Sequence, residues 1–249
     1  MRPERALSWD GCFNVRDLGG HATHDGRTTR FGAVVRADSV RLLSDAGWAA
    51  LLDYGVSRIV DLRFHSELEA DPPRELDVDV VHVPLLPEQD DAEWKEINAV
   101  NDAAPDAETA TRGVYLEFLE RRRPQFGAAV AAVAEAPEGT VVVHCVYGKD
   151  RTGLVVALLL RLAGVGLDEI AADYAETERN LAERTQEWID EAQDEAERER
   201  RERIARTPPE AMAGVLEELE RRYGSVRAYL RAAGVEPEAL ARATTRLVE

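Results

Sequence analysis

Hydrophobic and polar positions divide the chain into a strand-rich first part and a helical second part. Short apolar or β-branched runs read as strands at Phe31 to Arg36, Arg58 to Leu62 and Thr140 to Val143, and the alternating stretch Asp77 to Pro84 reads as another. Thr140-Val141-Val142-Val143 is β-branched throughout, which predicts a buried strand. Helix signals lie between these runs. Ser44 opens a helix through Asp53 that Gly55 stops, just before the run ending at Leu62. Glu108 to Arg122 and Gln125 to Ala134 read as helices split by Pro124. Leu154 to Ala163 is almost wholly apolar and predicts a buried helix closed by Gly164. His24-Asp25-Gly26-Arg27 predicts a hairpin turn, and polar Asn98 to Asp106, punctuated by alanine and proline, predicts a loop.

From Asp168 the pattern becomes helical, with one long stretch reaching about Ile204. Its later half, Glu187 to Arg206, has mixed charge and little apolar content, a composition that fits a solvated helix, a projecting arm or partial disorder. Thr207-Pro208-Pro209-Glu210 reads as a capping box with Pro at the first helical position, opening a helix to about Tyr223. Ser225 to Ala233 and Glu238 to Leu247 read as shorter helices with Gly234 as the stop between them. The predicted organisation is α/β followed by a helical region over 168–249, within one domain covering 1–249.

Composition narrows the partners. Lys and Arg total 31 against 48 for Asp and Glu, a net charge of −17 that repels nucleic acid and anionic membranes at long range. Attraction of an anionic substrate must therefore come from a local cationic field. The start, Met1-Arg2-Pro3-Glu4-Arg5-Ala6, lacks the apolar core of a signal peptide, and no segment reaches the length of a membrane span, so a cytoplasmic protein is expected. The 2 cysteines, Cys12 and Cys145, make no disulfide framework. Cys12 reads as a small buried hydrophobe, with a reversible bridge to Cys145 as the alternative.

The chemistry concentrates in His144-Cys145-Val146-Tyr147-Gly148-Lys149-Asp150-Arg151-Thr152-Gly153. A loop between a buried strand and a buried helix aims several backbone N–H groups at one point, where the helix dipole also favours negative charge. A thiol there, with an ordinary pKa near 8.5, is expected to ionise and to serve as a nucleophile toward phosphorus. Arg151 offers a planar fork for two phosphoryl oxygens, Thr152 a hydroxyl for the sulfur, and Gly148 and Gly153 the tight turn and close helix-strand packing. The backbone of Val146 to Thr152 forms the phosphate cradle. No metal or cofactor is needed. A Walker loop is excluded because Asp150 follows Gly148-Lys149 and Val143 stands where the first glycine belongs. A sulfurtransferase loop also places cysteine at such a mouth, but the Asp-Arg-Thr-Gly ending argues for phosphate chemistry.

This decapeptide resembles the Cys-x5-Arg loop of the cysteine-dependent tyrosine and dual-specificity phosphatases, and most of all the loop of the atypical bacterial tyrosine/serine phosphatases. Asn14-Val15-Arg16-Asp17-Leu18-Gly19-Gly20, Arg36-Ala37-Asp38 with Leu42-Leu43, and Asp61-Leu62-Arg63 with Glu67 are similar to further blocks of that family. Tyr174, Tyr223-Gly224-Ser225 and Tyr229-Leu230 resemble its C-terminal region, so the likeness runs from about Phe13 to Leu230. It implies a phosphatase fold with a central, mostly parallel sheet, a phosphocysteine intermediate, and a phosphorylated protein or phosphoinositide as substrate.

It also implies that Asp150 is the general acid, since no Trp-Pro-Asp is present. An ion pair of Asp150 with Lys149, Arg151 or Arg63 is the structural alternative, and Asp90 or Asp91, in Pro87-Glu88-Gln89-Asp90-Asp91, are other acid candidates. Lys149 either meets a second substrate anion or pairs with Asp150. His144 is expected to orient the loop. Asp61 and Arg63 end a strand beside it, where Arg63 either assists with anions or pairs with Asp61 or Glu67. Arg16 and Asp17 brace the site or form a surface ion pair; their place in the family signature favours bracing. The region near 185–206 is a lid over the site, as in some relatives, or a surface hairpin against the side of the domain.

Overall fold

The β-branched runs assemble into a single sheet. A computed structural model of the chain describes residues 4–72, 74, 77–86 and 91–249. In chain order its elements are β1 (Arg16–Asp17), β2 (Val34–Ala37), α1 (Asp45–Asp53), β3 (Val56–Asp61), α2 (His65–Ala70), β4 (Asp79–His82), α3 (Asp91–Ala103), α4 (Ala107–Arg121), α5 (Arg123–Ala134), β5 (Thr140–His144), α6 (Asp150–Leu162), α7 (Leu167–Asn180), α8 (Ala182–Asp190), α9 (Glu195–Ala205), α10 (Pro209–Tyr223), α11 (Val226–Ala232) and α12 (Pro237–Leu247). Among the described residues the sheet has five strands in the order β1-β2-β5-β3-β4. β1 pairs antiparallel to β2, and the other pairings are parallel.

The central place of β5 explains its composition. Val141 and Val143 enter the larger core with Phe126, Leu158, Leu216 and Tyr229, while Val142 enters a second core with Trp9, Trp48 and Leu51. A strand covered on both faces has no polar side to alternate with, hence the uninterrupted β-branched run. Register then positions the site. Ala37 and Asp61 both pair with His144, so the chain leaves three neighbouring strands side by side at Asp38, Leu62 and Cys145. Ligands of open α/β sheets collect at this edge.

Three predicted features differ from the structure. Asn98 to Asp106 is not simply a loop, because α3 continues to Ala103. Ile97 is buried and Trp94 meets Phe118 edge-on at 6.0 Å, so packing on α4 overrides weak local propensity. The stretch from Asp168 to Ile204 is three helices rather than one, broken at Leu181 and before Asp194, whose carboxylate caps α9 by accepting from Glu197 N–H at 2.8 Å. The capping box at Thr207 does not form. Its N–H donates to Glu178 at 2.9 Å and its hydroxyl to the Ala175 carbonyl at 3.3 Å, both on α7, leaving Pro208 as a cap without a side-chain bond. No helix among the described residues is long and apolar enough to cross a membrane.

The C-terminal helices are tied to the strand end by buried charge. Asp173 of α7 accepts from Arg16 Nε at 2.9 Å and from Arg36 Nη1 at 2.6 Å, and all three side chains are 1% exposed. Burial opposes the Asp173 charge, yet the two guanidinium groups hold its carboxyl well below the usual carboxylate range. Burial, and then Arg16, push Arg36 down to about 10. Replacing Asp173 with Asn would leave two buried cations facing an amide. Asp173→Asn is expected to lose about 3–5 kcal/mol in urea denaturation. Because the folded pKa lies below the unfolded one, this contribution is complete above about pH 4 and fades as pH falls through the folded value. The gap between wild type and variant should therefore narrow in acid.

Candidate active site

The loop from Cys145 to Lys149 joins β5 to α6, and Asp150, Arg151 and Thr152 form the first turn of that helix. The helix thus begins four residues before the apolar run Leu154 to Ala163, with the chemistry-bearing residues inside it. Gly148 has φ +61°, and a Cβ there would come within 2.4 Å of the Ala37 carbonyl oxygen, so only glycine suits the position. The loop's carbonyls are held from outside. Val146 O accepts from Ser39 N–H at 3.0 Å, Tyr147 O and Gly148 O accept from Asn14 Nδ2 at 3.1 and 3.2 Å, and Gly148 O accepts from Arg36 Nη2 at 2.6 Å. Peptides whose carbonyls are fixed on the outside turn their N–H groups inward, which is how a loop at a helix N-terminus cradles an anion.

Cys145 is buried at the start of this cradle. Arg151 donates through both terminal nitrogens to Glu67, at 2.6 and 3.0 Å, and lies 4.5 Å over the Phe64 ring. Glu67 also accepts from Phe64 N–H at 2.7 Å, so carboxylate, ring and guanidinium fix one another. Although burial opposes it, the Arg151 charge is strengthened by the Cys145 sulfur and by Glu67. Thr152 Oγ1 is buried without a hydrogen-bond partner among the described residues. Asp150 is 44% exposed; its Oδ1 accepts from Tyr115 O–H at 2.6 Å and lies 3.7 Å from Lys149 Nζ. Lys149 Nζ also donates to the Ile204 carbonyl near the end of α9. Of the alternative acids, Asp90 and the Asp91 side chain lie outside the described residues.

The other predicted residues sort by distance from the loop. His144 Nδ1 lies 3.2 Å from the Cys145 carbonyl oxygen and Nε2 3.5 Å from Asp61 Oδ2. Burial pushes the Asp61 carboxyl up, but His144 and Arg63 together hold it far below its ordinary value. Arg63 is occupied by Asp61, at 2.8–3.1 Å, and by Asp71 at 3.2 Å; Glu67 pairs with Arg151 instead. Arg16 reaches Asn14 Oδ1 at 2.6 Å and Asp173, so it stands one residue behind the loop. Asp17 is not brought there. It accepts from Gly19 N–H, Gly32 N–H and Tyr54 O–H at 2.6–2.8 Å, and pins the turn leading into β2. Its neighbour in sequence points to the opposite side of the strand, which explains the split.

Asn14, Arg36, Glu67, Asp173 and Tyr115 hold the site but carry no signal strong enough to be named for it. Asn14, Arg36 and Glu67 fall inside the family-like blocks, and Asp173 precedes Tyr174. Tyr115 sits in an ordinary amphipathic helix.

Two cavities flank Lys149 and Asp150. One, of about 260 Å³, is walled by Phe64, Trp94, Val114, Tyr115 and Phe118, with Arg151 at its edge and Arg200 and Arg203 of α9 on its rim. The other, of about 240 Å³, is lined by Tyr147, Leu181, Thr185, Trp188 and Ile204. Arg184 of α8 lies over the Phe13 and Tyr147 rings, at 5.7 and 5.0 Å, and pairs with Asp38 at 3.2 Å.

Comparison with known proteins gives the same direction. A sequence model described as the tyrosine phosphatase family matches residues 7–249. A tyrosine-protein phosphatase of Nostoc commune is 30% identical over 228 residues, covering 86% of this chain and 74% of that protein. The triple specificity protein phosphatase PtpB of Mycobacterium tuberculosis is 28% identical over 263 residues, covering 90% of this chain and 92% of that protein. With the match extending through the loop, the sheet and the C-terminal helices alike, the chain belongs to the tyrosine phosphatase family.

Proposed function

We propose that this cysteine-dependent phosphatase acts first on phosphotyrosine, with Cys145 as nucleophile, Arg151 as oxyanion clamp and Asp150 as general acid and base. The Cys145 sulfur attacks phosphorus as the P–O bond to the leaving group breaks, and Asp150 delivers a proton to the departing oxygen. Water then attacks the phosphocysteine, Asp150 takes its proton, and the sulfur leaves, assisted by the Thr152 hydroxyl, which has no partner among the described residues. Glu67 engages two of the five guanidinium donors of Arg151, which leaves three for phosphoryl oxygens. The backbone of Val146 to Thr152 supplies the remaining donors. His144, Asp61 and Arg63 act as support for the strand end, and Arg16 for the loop.

The observation that carries the substrate preference is the aromatic wall of the larger cavity, beside Asp150 and Arg151. A phenol ring leaving from phosphorus would find Phe64, Trp94 and Phe118 there, and an alkyl hydroxyl would fill that space poorly. A panel of phosphotyrosine peptide, phosphoserine peptide and soluble phosphoinositide tests this. The phosphotyrosine peptide is expected to have the highest kcat/KM, and a lead for either of the others rejects the preference.

The hairpin of α8 and α9 is read as a lid. Its contacts with the loop, Lys149 to the Ile204 carbonyl and Arg184 over Tyr147, are the kind that closure would make. Replacing 185–206 with a short flexible linker should speed alkylation of Cys145 by iodoacetate, provided the variant still unfolds cooperatively. An unaltered labelling rate would mean a wall rather than a gate.

Two substitutions test the chemistry. Cys145→Ser should abolish turnover of para-nitrophenyl phosphate, and the wild type should turn it over without added metal. Asp150→Asn should lower kcat/KM by about 100-fold or more for phenyl phosphate, a poor leaving group, and far less for 2,4-dinitrophenyl phosphate. Equal losses on the two esters would remove Asp150 from the acid's role.

A further inference from the structure

Two tyrosine hydroxyls stand behind the Asp150 carboxylate. Tyr115 of α4 is 2% exposed and Tyr174 of α7 is 1% exposed. Tyr115 O–H donates to Asp150 Oδ1 at 2.6 Å, and the two hydroxyl oxygens are 2.8 Å apart. The rings meet edge-on, with centroids 6.0 Å apart and planes at 78°. Tyr115 packs beside Phe118 as part of the wall of the larger cavity. Each phenol has one proton. If Tyr115 gives its proton to Asp150, its oxygen can only accept from Tyr174, so the chain has one direction: Tyr174 to Tyr115 to Asp150.

We propose that Tyr115, backed by Tyr174, is a positioning residue that decides which oxygen of Asp150 carries the transferable proton. With Oδ1 engaged as an acceptor, protonation falls on Oδ2, the oxygen not held by the α4 wall. The carboxyl group, 44% exposed and otherwise met at Oδ1 by Lys149 Nζ at 3.7 Å, would without the phenol be less restrained about its terminal torsion and would more often have its proton misdirected. In the second step the same tether keeps Oδ2 presented to the attacking water. The tyrosines are not proton sources themselves. Burial first, and then the Asp150 charge, push both phenols far above their ordinary range, so they donate hydrogen bonds and keep their protons.

This inference rests on Asp150 being the acid, and the experiment separates the two. kcat/KM would be measured for phenyl phosphate and 2,4-dinitrophenyl phosphate with Tyr115→Phe, Tyr174→Phe, Asp150→Asn and the Tyr115→Phe/Asp150→Asn double variant. Tyr115→Phe should lose about tenfold on phenyl phosphate and less than about twofold on the dinitrophenyl ester, a part of the roughly 100- to 10,000-fold available to general acid catalysis. Tyr174→Phe should show a smaller loss with the same bias, and it serves alone if Tyr115→Phe does not fold. Adding Tyr115→Phe to Asp150→Asn should cost nothing further on phenyl phosphate. Equal losses on both esters, or an undiminished loss in the Asp150→Asn background, would make the tyrosine pair structural and overturn the proposal. No leaving-group bias in Asp150→Asn itself would instead refute the acid assignment, and the tether would fall with it.

Discussion

The Asp173 carboxylate between Arg16 and Arg36 is the contact from which the site is suspended. Arg36 spans the gap, with one terminal nitrogen on Asp173 and the other on the Gly148 carbonyl. Arg16 holds Asn14, whose amide takes the carbonyls of Tyr147 and Gly148. The loop therefore keeps its shape because a strand end, an N-terminal segment and α7 meet on one buried anion. Such charge is costly to desolvate, and removing one partner leaves the others uncompensated. Specificity of arrangement is what the burial achieves here: the loop's carbonyls are held from behind before any anion arrives, so its N–H groups need no rearrangement to receive one.

The same economy governs the two cations of the loop. A chain with a net charge of −17 offers little long-range attraction to a phosphate ester. Arg151 and Lys149 are the loop's own cations, one stacked on Phe64 and clamped by Glu67, the other turned toward the Ile204 carbonyl. Both are already engaged by neighbouring groups, which keeps long side chains in place and reduces the entropy lost when an anion binds. The aromatic wall beside them removes water, where electrostatic contacts strengthen. Asp150 lies at the junction of these two environments.

The candidate chemistry of residues 144–153 was legible because it is local: a thiol, a guanidinium and two glycines, on a short loop whose flanks are apolar. Its support was not. Arg36 and Asp173 are 137 residues apart, and Tyr115 and Asp150 are 35 apart; no period or cap connects them. Asp17 and Arg16 show the limit within a single motif. Adjacent in sequence and alternate in direction on β1, one pins a turn and the other stands behind the loop. The helix at Asn98 and the breaks inside 168–204 were hidden for a related reason. The residues around Asn98 are placed by packing on α4, which weak local propensity does not oppose, while the break before Asp194 is a local cap inside a charged run.

By itself, the sequence determined the reaction class, a candidate nucleophile and the strand-loop-helix that carries it, because those depend on neighbouring residues and on the apolar runs around them. The tertiary structure decided which distant charges hold the loop, which neighbours engage Arg151 and Lys149, and which hydroxyls meet Asp150. These depend on strand order and helix packing, and a contact made across the fold leaves no local trace in the chain.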